Sequence, residues 1–309
     1  MIKNDWNSLE YRQYNKTVNK TLWVTILYLI IFQVATLYST MFLFMGRLLT
    51  GHKDTLNDVL ASSGIPYFVG VSLGLLVIYV FSTPKMRQSY FAPGIKTLDL
   101  KTLLFFSVLF LAIQAVFSIY TNVLEASLNM FGYSAIEQIK AATTNEETWS
   151  MLLYASLVAP ISEEIIFRGF VLRSLQPYGP KLAIGVSAFL FGLMHANIIQ
   201  TPFAFFAGLV LGCVAYNYGI LWSMGLHLFN NFVLGNLLGN LGTILNVILS
   251  LLAVIFVLYY WFMNSEKLAF LNAKYKIKPG LVTRLICIPM ILLVAFTLMQ
   301  ILGSLVVIH

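Results

Sequence analysis

The sequence predicts an all-α fold: a polytopic transmembrane helical bundle of about eight or nine spans. Three observations carry that reading. Hydrophobic residues make up 59% of the 309 positions and charged residues 10%, with a mean hydropathy of +0.82, whereas soluble domains carry roughly 25% charged residues. The apolar residues gather in runs long enough to cross a bilayer at about twenty residues per crossing. Period-two alternation is absent, so the runs read as helices that satisfy their own backbone groups, as hydrocarbon demands.

In chain order the runs lie near 21–46, 64–82, 102–127, 148–172, 182–197, 201–218, 220–239, 242–264 and 284–308. Several are short or closely spaced, so eight spans are as defensible as nine. About twenty polar residues precede the first run, too many for a signal peptide, and no small-residue cleavage site follows it. That first span is expected to stay in the mature protein. "TNEE", Thr144–Glu147, has the form of a capping box that opens the fourth span. Gly70 with Gly74, Gly208 with Gly212, and Gly235 with Gly239 are small-residue pairs that let helices approach closely. Glu125, at the outer end of the third span, is expected to snorkel or cap. Repeats and low-complexity segments are absent. The chain divides into residues 1–146, N-terminal transmembrane helices, 147–240, a core rich in intramembrane polar groups, and 241–309, C-terminal transmembrane helices.

The net charge of +7 fits the Lys and Arg excess of cytoplasmic loops, which makes a nucleic-acid partner unnecessary. With the N-terminus inside, Lys3, Arg12, Lys16, Lys20, Lys85, Arg87, Lys96, Lys101, Arg173, Lys181, Lys267, Lys274, Lys276, Lys278 and Arg284 fall in inner loops, and Arg47, Lys53 and Lys140 outside. The expectation is a multi-pass cell-membrane protein with a cytoplasmic N-terminus, whose partners are the lipid bilayer and a peptide or membrane-protein substrate. Cys213 and Cys287 sit in apolar runs, which fits buried small hydrophobes rather than disulfides or metal ligands.

Three polar clusters interrupt the apolar runs: "EEIIFR" (Glu163, Glu164, Arg168), "FGLMH" (Phe191, His195) and "HLFNN" (His227, Asn230, Asn231). Ionisable groups in a membrane are costly unless paired or facing a polar cavity. Glu164 and Arg168 are four apart and share a helix face, while Glu163 is turned from Glu164 by about 100°. One glutamate is therefore available. His227 and Asn231 are also four apart. Counted from the flanking turns, the clusters lie about 15–20 Å deep at 1.5 Å per residue and can meet. Pro160 frees backbone groups just before Glu163. Taken singly, each cluster also reads as interhelical glue.

A desolvated carboxylate can act as general base toward water, histidines can orient that water, and an imidazole or amide N–H can stabilise an oxyanion. Together these groups suit hydrolysis of an amide bond. Every aspartate (Asp5, Asp54, Asp58, Asp99) lies outside the apolar runs, so an intramembrane aspartyl dyad is excluded, and neither HExxH nor Gly-x-Ser-x-Gly occurs.

In order and spacing the three motifs resemble the EExxxR, FxxxH and HxxxN motifs of the CAAX protease and bacteriocin-processing family (CPBP, Abi or type II CAAX prenyl endopeptidase-like), over residues 147–240. The resemblance implies an intramembrane glutamic endopeptidase in which Glu163 and His195 activate water, His227 and Asn231 form the oxyanion hole, and Glu164 and Arg168 support the site. It implies no cofactor; a zinc set of Glu163, His195 and His227 is the alternative. Relatives process peptides, cleave prenylated CAAX proteins or confer bacteriocin self-immunity, and peptide processing or self-immunity is the expectation here. A non-catalytic membrane scaffold or immunity protein that keeps the motif residues structurally is the reading from a different class. A transporter is a third.

Overall fold

The computed structural model describes residues 8–136, 148–232, 243–266, 269 and 276–307. Each of the nine apolar runs carries a helix. α1 (Ser8–Leu49) is 42 residues long, about 60 Å at 1.5 Å per residue, so part of it stands clear of a hydrocarbon core of roughly 30 Å. α2 (Leu56–Ser62) and α3 (Ile65–Phe81) meet at a 73° bend. α4 (Pro84–Tyr90) is a short helix capped by Thr83, and α5 (Leu100–Asn129) is capped by the Asp99 carboxylate, which accepts from the Thr102 amide at 2.8 Å. α6 (Trp149–Tyr178) carries the first polar cluster. α7 (Pro180–Met194), α8 (Gln200–Tyr218) and α9 (Ile220–Leu228) carry or flank the other two, and α10 (Thr243–Met263) and α11 (Ile288–Gly303) complete the bundle.

Eight or nine full spans are not confirmed. Among the described residues, four helices are long and apolar enough to cross a membrane (α1, α5, α6 and α8), or five if α2 and α3 form one bent span. α7, α11 and the stretch Val247–Met263 of the 21-residue α10 fall in the range of 10–17 residues. Hydropathy sums over a run and is blind to where the chain bends or breaks inside it. The run at 182–197, for example, stops being helical at Met194, and Ala196 turns into the left-handed region at φ 47°.

Lipid-facing character is plain from burial. Of the most apolar stretch of α5, 11% is buried inside the protein, and side chains such as Phe42, Leu251, Leu258 and Phe262 are exposed. In water such a surface would be an aggregation site. The core lies where α1, α6 and α7 meet, around Leu22, Tyr28, Phe167, Phe170, Leu182 and Phe191.

Two of the glycine pairs mark close helix contacts. A Cβ at Gly70 would collide with Thr36 and the Phe32 carbonyl, and one at Gly74 with the Tyr28 ring, so both hold α3 against α1. Gly208 and Gly212 bring α8 onto Ala188 and Ile184 of α7. Gly235 and Gly239 lie outside the described residues, as do Thr144–Glu147. The described cap of α6 is Thr148, whose hydroxyl accepts from the Met151 amide. Glu125 caps, accepting from the amides of Ala135 and Ile136 at 3.0 and 3.2 Å.

The bundle has two distinct ends. At one, Thr17 meets Tyr178 at 2.9 Å, Tyr14 donates to the Leu281 carbonyl at 2.9 Å, and the Lys96 amide donates to the Asn217 carbonyl at 2.8 Å. The basic segments at 85–101 and 276–284 gather there. At the other, Thr148 bonds to the Ser62 carbonyl and the Gly64 amide donates to Ser150 at 3.1 Å. Here also β1 (Tyr133–Ser134) pairs antiparallel with β2 (Val306–Val307), a pairing too short to show as alternation in the sequence. Adding a methyl at Gly74 should lower the thermal unfolding temperature in detergent by an amount equivalent to about 1–3 kcal/mol of overpacking. Gly185→Ala, whose new Cβ meets nothing within 4 Å, should leave it unchanged or raise it.

Candidate active site

The site begins with an irregular helix. α6 is π-helical over Tyr154–Val158 and again over Ile165–Leu172, with one α-helical stretch, Ala159–Glu164, between them. Pro160 helps to explain the first irregularity, because it has no N–H to offer the preceding turn. The Ala159 amide donates to Tyr154 instead. Irregular backbone of this kind is tolerated at membrane depth where it is buried in protein or lines a cavity, and π segments recur at functional sites.

On the α-helical stretch the two glutamates part company, as the spacing predicted. Arg168 Nη1 lies 2.9 Å from Glu164 Oε1, with both side chains fully buried. The guanidinium also donates from Nη2 to the Gly208 carbonyl at 3.2 Å and rests 4.5 Å over the Phe191 ring. Glu163 faces a cavity.

Glu164 does more than hold the arginine. Ser223 donates to its Oε2 at 2.5 Å, and His227 Nδ1 lies 3.0 Å from its Oε1. Both partners come from α9, so Glu164 couples α6 to α9. An ion-paired carboxylate accepts, which makes Nδ1 the donor and sets the tautomer of a neutral ring with Nε2 as acceptor. His227 Nε2 lies 3.6 Å from Glu163 Oε2. The ring thus has one carboxylate at each nitrogen.

His195 closes the end of α7. Its Nδ1 is 2.9 Å from the Phe191 carbonyl, which as an acceptor holds the Nδ1–H and leaves Nε2 available. Asn197 Oδ1 accepts from the amides of Ile199 and Gln200 at 2.8 and 3.2 Å and starts α8 just beyond. Phe191 packs edge-on to both His195 and His227, with centroids 5.0 and 5.6 Å away. This accounts for the phenylalanine of the FxxxH motif: one ring covers the buried cation and spaces the two imidazoles.

Asn231 lies in a π-helical stretch, residues 229–232, and donates from Nδ2 to the Ala155 carbonyl at 3.3 Å. The structure brings the four expected site residues together: Glu163, His195, His227 and Asn231 line one cavity of about 80 Å³, with Asn230, Phe191 and Phe110. That is several times the roughly 10–15 Å³ one water needs. Glu164 and Arg168 stand behind its wall. Among the described residues, no group of three or more His, Cys, Asp and Glu side chains is arranged to hold a metal ion. Sequence reasoning missed Ser223; its one available signal was its place four residues before His227, on the same helix face.

Residues 145–233 match the family model described as Rce1-like, type II CAAX prenyl endopeptidase. The match takes in all three motifs and every cavity residue named above except Phe110, and it falls within the CAAX protease family that the motifs resemble. It supports a membrane protease with a peptide or protein substrate. No curated protein and no solved structure matches the chain.

The geometry sets different fates for the two glutamates. Glu164→Gln and Arg168→Met each strand a buried charge and should destabilise the folded protein by about 3–5 kcal/mol, seen as a large fall in the unfolding temperature. Glu163→Gln, which keeps shape and faces the cavity, should unfold within a few degrees of wild type, since 1 kcal/mol shifts the midpoint by about 2–4 °C in domains of roughly 150–250 residues and by less in larger ones.

Proposed function

We propose that the protein is an intramembrane glutamic endopeptidase that hydrolyses a peptide bond of a membrane-associated peptide or protein with water activated by Glu163. The observation that carries this reading is the shared cavity, in which a carboxylate, two imidazoles and a carboxamide from three separate chain segments face one small space. Glu164, engaged by Arg168, Ser223 and His227, is left without a part in proton transfer to water.

In this scheme Glu163 takes a proton from water as the oxygen attacks the carbonyl carbon, with His195 Nε2 orienting that water. The carbonyl oxygen gains charge and is met by Asn231 Nδ2–H. Because His227 gives its Nδ1 proton to Glu164, Nε2 can donate to the same oxygen only when the ring carries both protons. Glu163, 3.6 Å away, is the group placed to exchange that proton. Collapse of the intermediate breaks the C–N bond, and the proton first taken from water passes to the leaving nitrogen. The products are a carboxylic acid and an amine. An apolar groove of about 560 Å³, between Trp149–Leu157 of α6 and Gly225–Phe232, adjoins the same two segments and offers a substrate a route in from lipid.

Glu163→Gln should abolish cleavage of quenched peptides, offered with and without a farnesyl group, by protein reconstituted in vesicles. His227→Ala and Asn231→Ala should each lower the rate by roughly 10²–10³-fold with KM little changed. A scaffold that keeps these residues for packing predicts the reverse: lost folding and no catalytic effect. Comparing membrane peptides in cells carrying wild-type or Glu163→Gln protein would report the natural substrate, with peptide processing or bacteriocin self-immunity as the proposed setting.

The proposal has no metal. Chelation should leave the purified protein active, and elemental analysis should find no stoichiometric zinc. Zinc lost from His195→Ala and His227→Ala, with activity restored by added metal, would overturn it. The proposed orientation puts the basic end in the cytoplasm. Reporters should then label the loop at Pro177–Pro180 from inside and the C-terminus, tied by β2 to the opposite end, from outside.

A further inference from the structure

Outside the Rce1-like segment, α5 contributes a polar side chain that reaches the cavity wall. Gln114 Nε2 donates to Asn230 Oδ1 at 3.1 Å. Asn230 Nδ2 donates to Asn231 Oδ1 at 3.0 Å, and Asn231 Nδ2 donates to the Ala155 carbonyl at 3.3 Å. Asn230 is 7% exposed. Three carboxamides thus run in one direction from α5 to α6.

The direction is fixed at its far end. A backbone carbonyl can only accept, so Asn231 must turn its nitrogen toward Ala155 and its oxygen toward Asn230. Asn230 must then present its nitrogen to Asn231 and its oxygen to Gln114, which must donate. The Ala155 carbonyl is available for a local reason. In the π-helical register its partner would be the amide of residue 160, and Pro160 has none, while the Ala159 amide goes to Tyr154. Without Asn230 at its oxygen, Asn231 would be held by the single 3.3 Å bond to Ala155, and breaking that one bond would let it turn and present its oxygen to the cavity, where it would repel an oxyanion.

We propose that Gln114 and Asn230 are positioning residues that hold the Asn231 carboxamide with its nitrogen toward Ala155 and the cavity, leaving its second Nδ2 hydrogen for the substrate oxygen. This rests on the reading that Asn231 stabilises the tetrahedral intermediate. It assigns to α5, the helix least buried in the protein among the candidate spans, a role in aligning the site.

The alternative is that Gln114 is interhelical glue, which a double-mutant cycle separates. Wild type, Gln114→Met, Asn231→Ala and the double variant are assayed in vesicles with the quenched peptides named above. Gln114→Met should lower kcat by about tenfold or more with KM changed by less than about twofold, and should cause no further loss in the Asn231→Ala background. Asn230→Ala should behave in the same way and serves if Gln114→Met fails to fold. Equal losses in both backgrounds, or a loss confined to KM, would overturn the relay. Asn231→Ala at full activity would overturn both the relay and the reading beneath it; a slow Asn231→Ala beside a wild-type Gln114→Met would overturn the relay alone. A readout independent of turnover is the side-chain amide signal of Asn231 in ¹⁵N-asparagine-labelled protein, assigned by its loss in Asn231→Ala. That signal should shift in Gln114→Met, and an unchanged signal would sink the relay.

Discussion

The buried ion pair of Glu164 and Arg168 is the interaction on which the centre of this protein depends. Neither charge touches solvent, and a charge at membrane depth is tolerated only with a partner or in a polar cavity. The pair gathers its partners from four helices: both ions from α6, the Phe191 ring from α7, the Gly208 carbonyl from α8, and Ser223 with His227 from α9. Each partner answers a specific deficit. The carboxylate has more acceptor sites than one guanidinium uses, and the guanidinium has more donors than one carboxylate takes. The helix packing that supplies these partners also delivers His227 and Phe191 to the cavity.

Backbone irregularity has a comparable part. A regular α-helix through Trp149–Tyr178 would pair each carbonyl with an amide four residues on. Two π-helical stretches and one proline alter that pairing around Ala159–Glu164. The altered pairing leaves the Ala155 carbonyl to a side chain from another segment, so a defect in one helix becomes a joint between two.

Much of this was legible in the sequence. The helices were, because apolar runs in hydrocarbon have few other options, and a close helix contact could be read from Gly70 and Gly74, though not that its partner is α1. Glu163 and Glu164 could be told apart by spacing, since the arginine lies one helical turn from only one of them. The number of full spans was not legible, because hydropathy is blind to the 73° bend between α2 and α3 and to the stop at His195. Ser223 and Gln114 were hidden for a different reason. A single serine or glutamine in an apolar helix commonly bonds to its own backbone or to a neighbouring helix, and only the fold shows which carboxylate or amide it reaches. Spacing pairs Glu164 with Arg168 as supports of the site; the bond of Glu164 to His227 depends on the rotation of α9, which spacing within α9 does not specify.

The pairing of β1 with β2, together with the bonds from Tyr11 and Tyr14 to Pro279 and Leu281, has a consequence for how the protein is made. A ribosome delivers the chain to the membrane from its N-terminus, so α1 and β1 wait for nearly the whole sequence before these contacts can form. Everything needed for the cavity, from Phe110 to Asn231, has by then been translated. The contacts made by Pro279, Leu281 and β2 can form only last, around a site whose parts are already in the bilayer, and contacts so distant along the chain are slow to form. During that interval the nascent protein holds its costly buried charges in place by local pairing, Glu164 with an arginine one turn away, before distant segments arrive to seal them in.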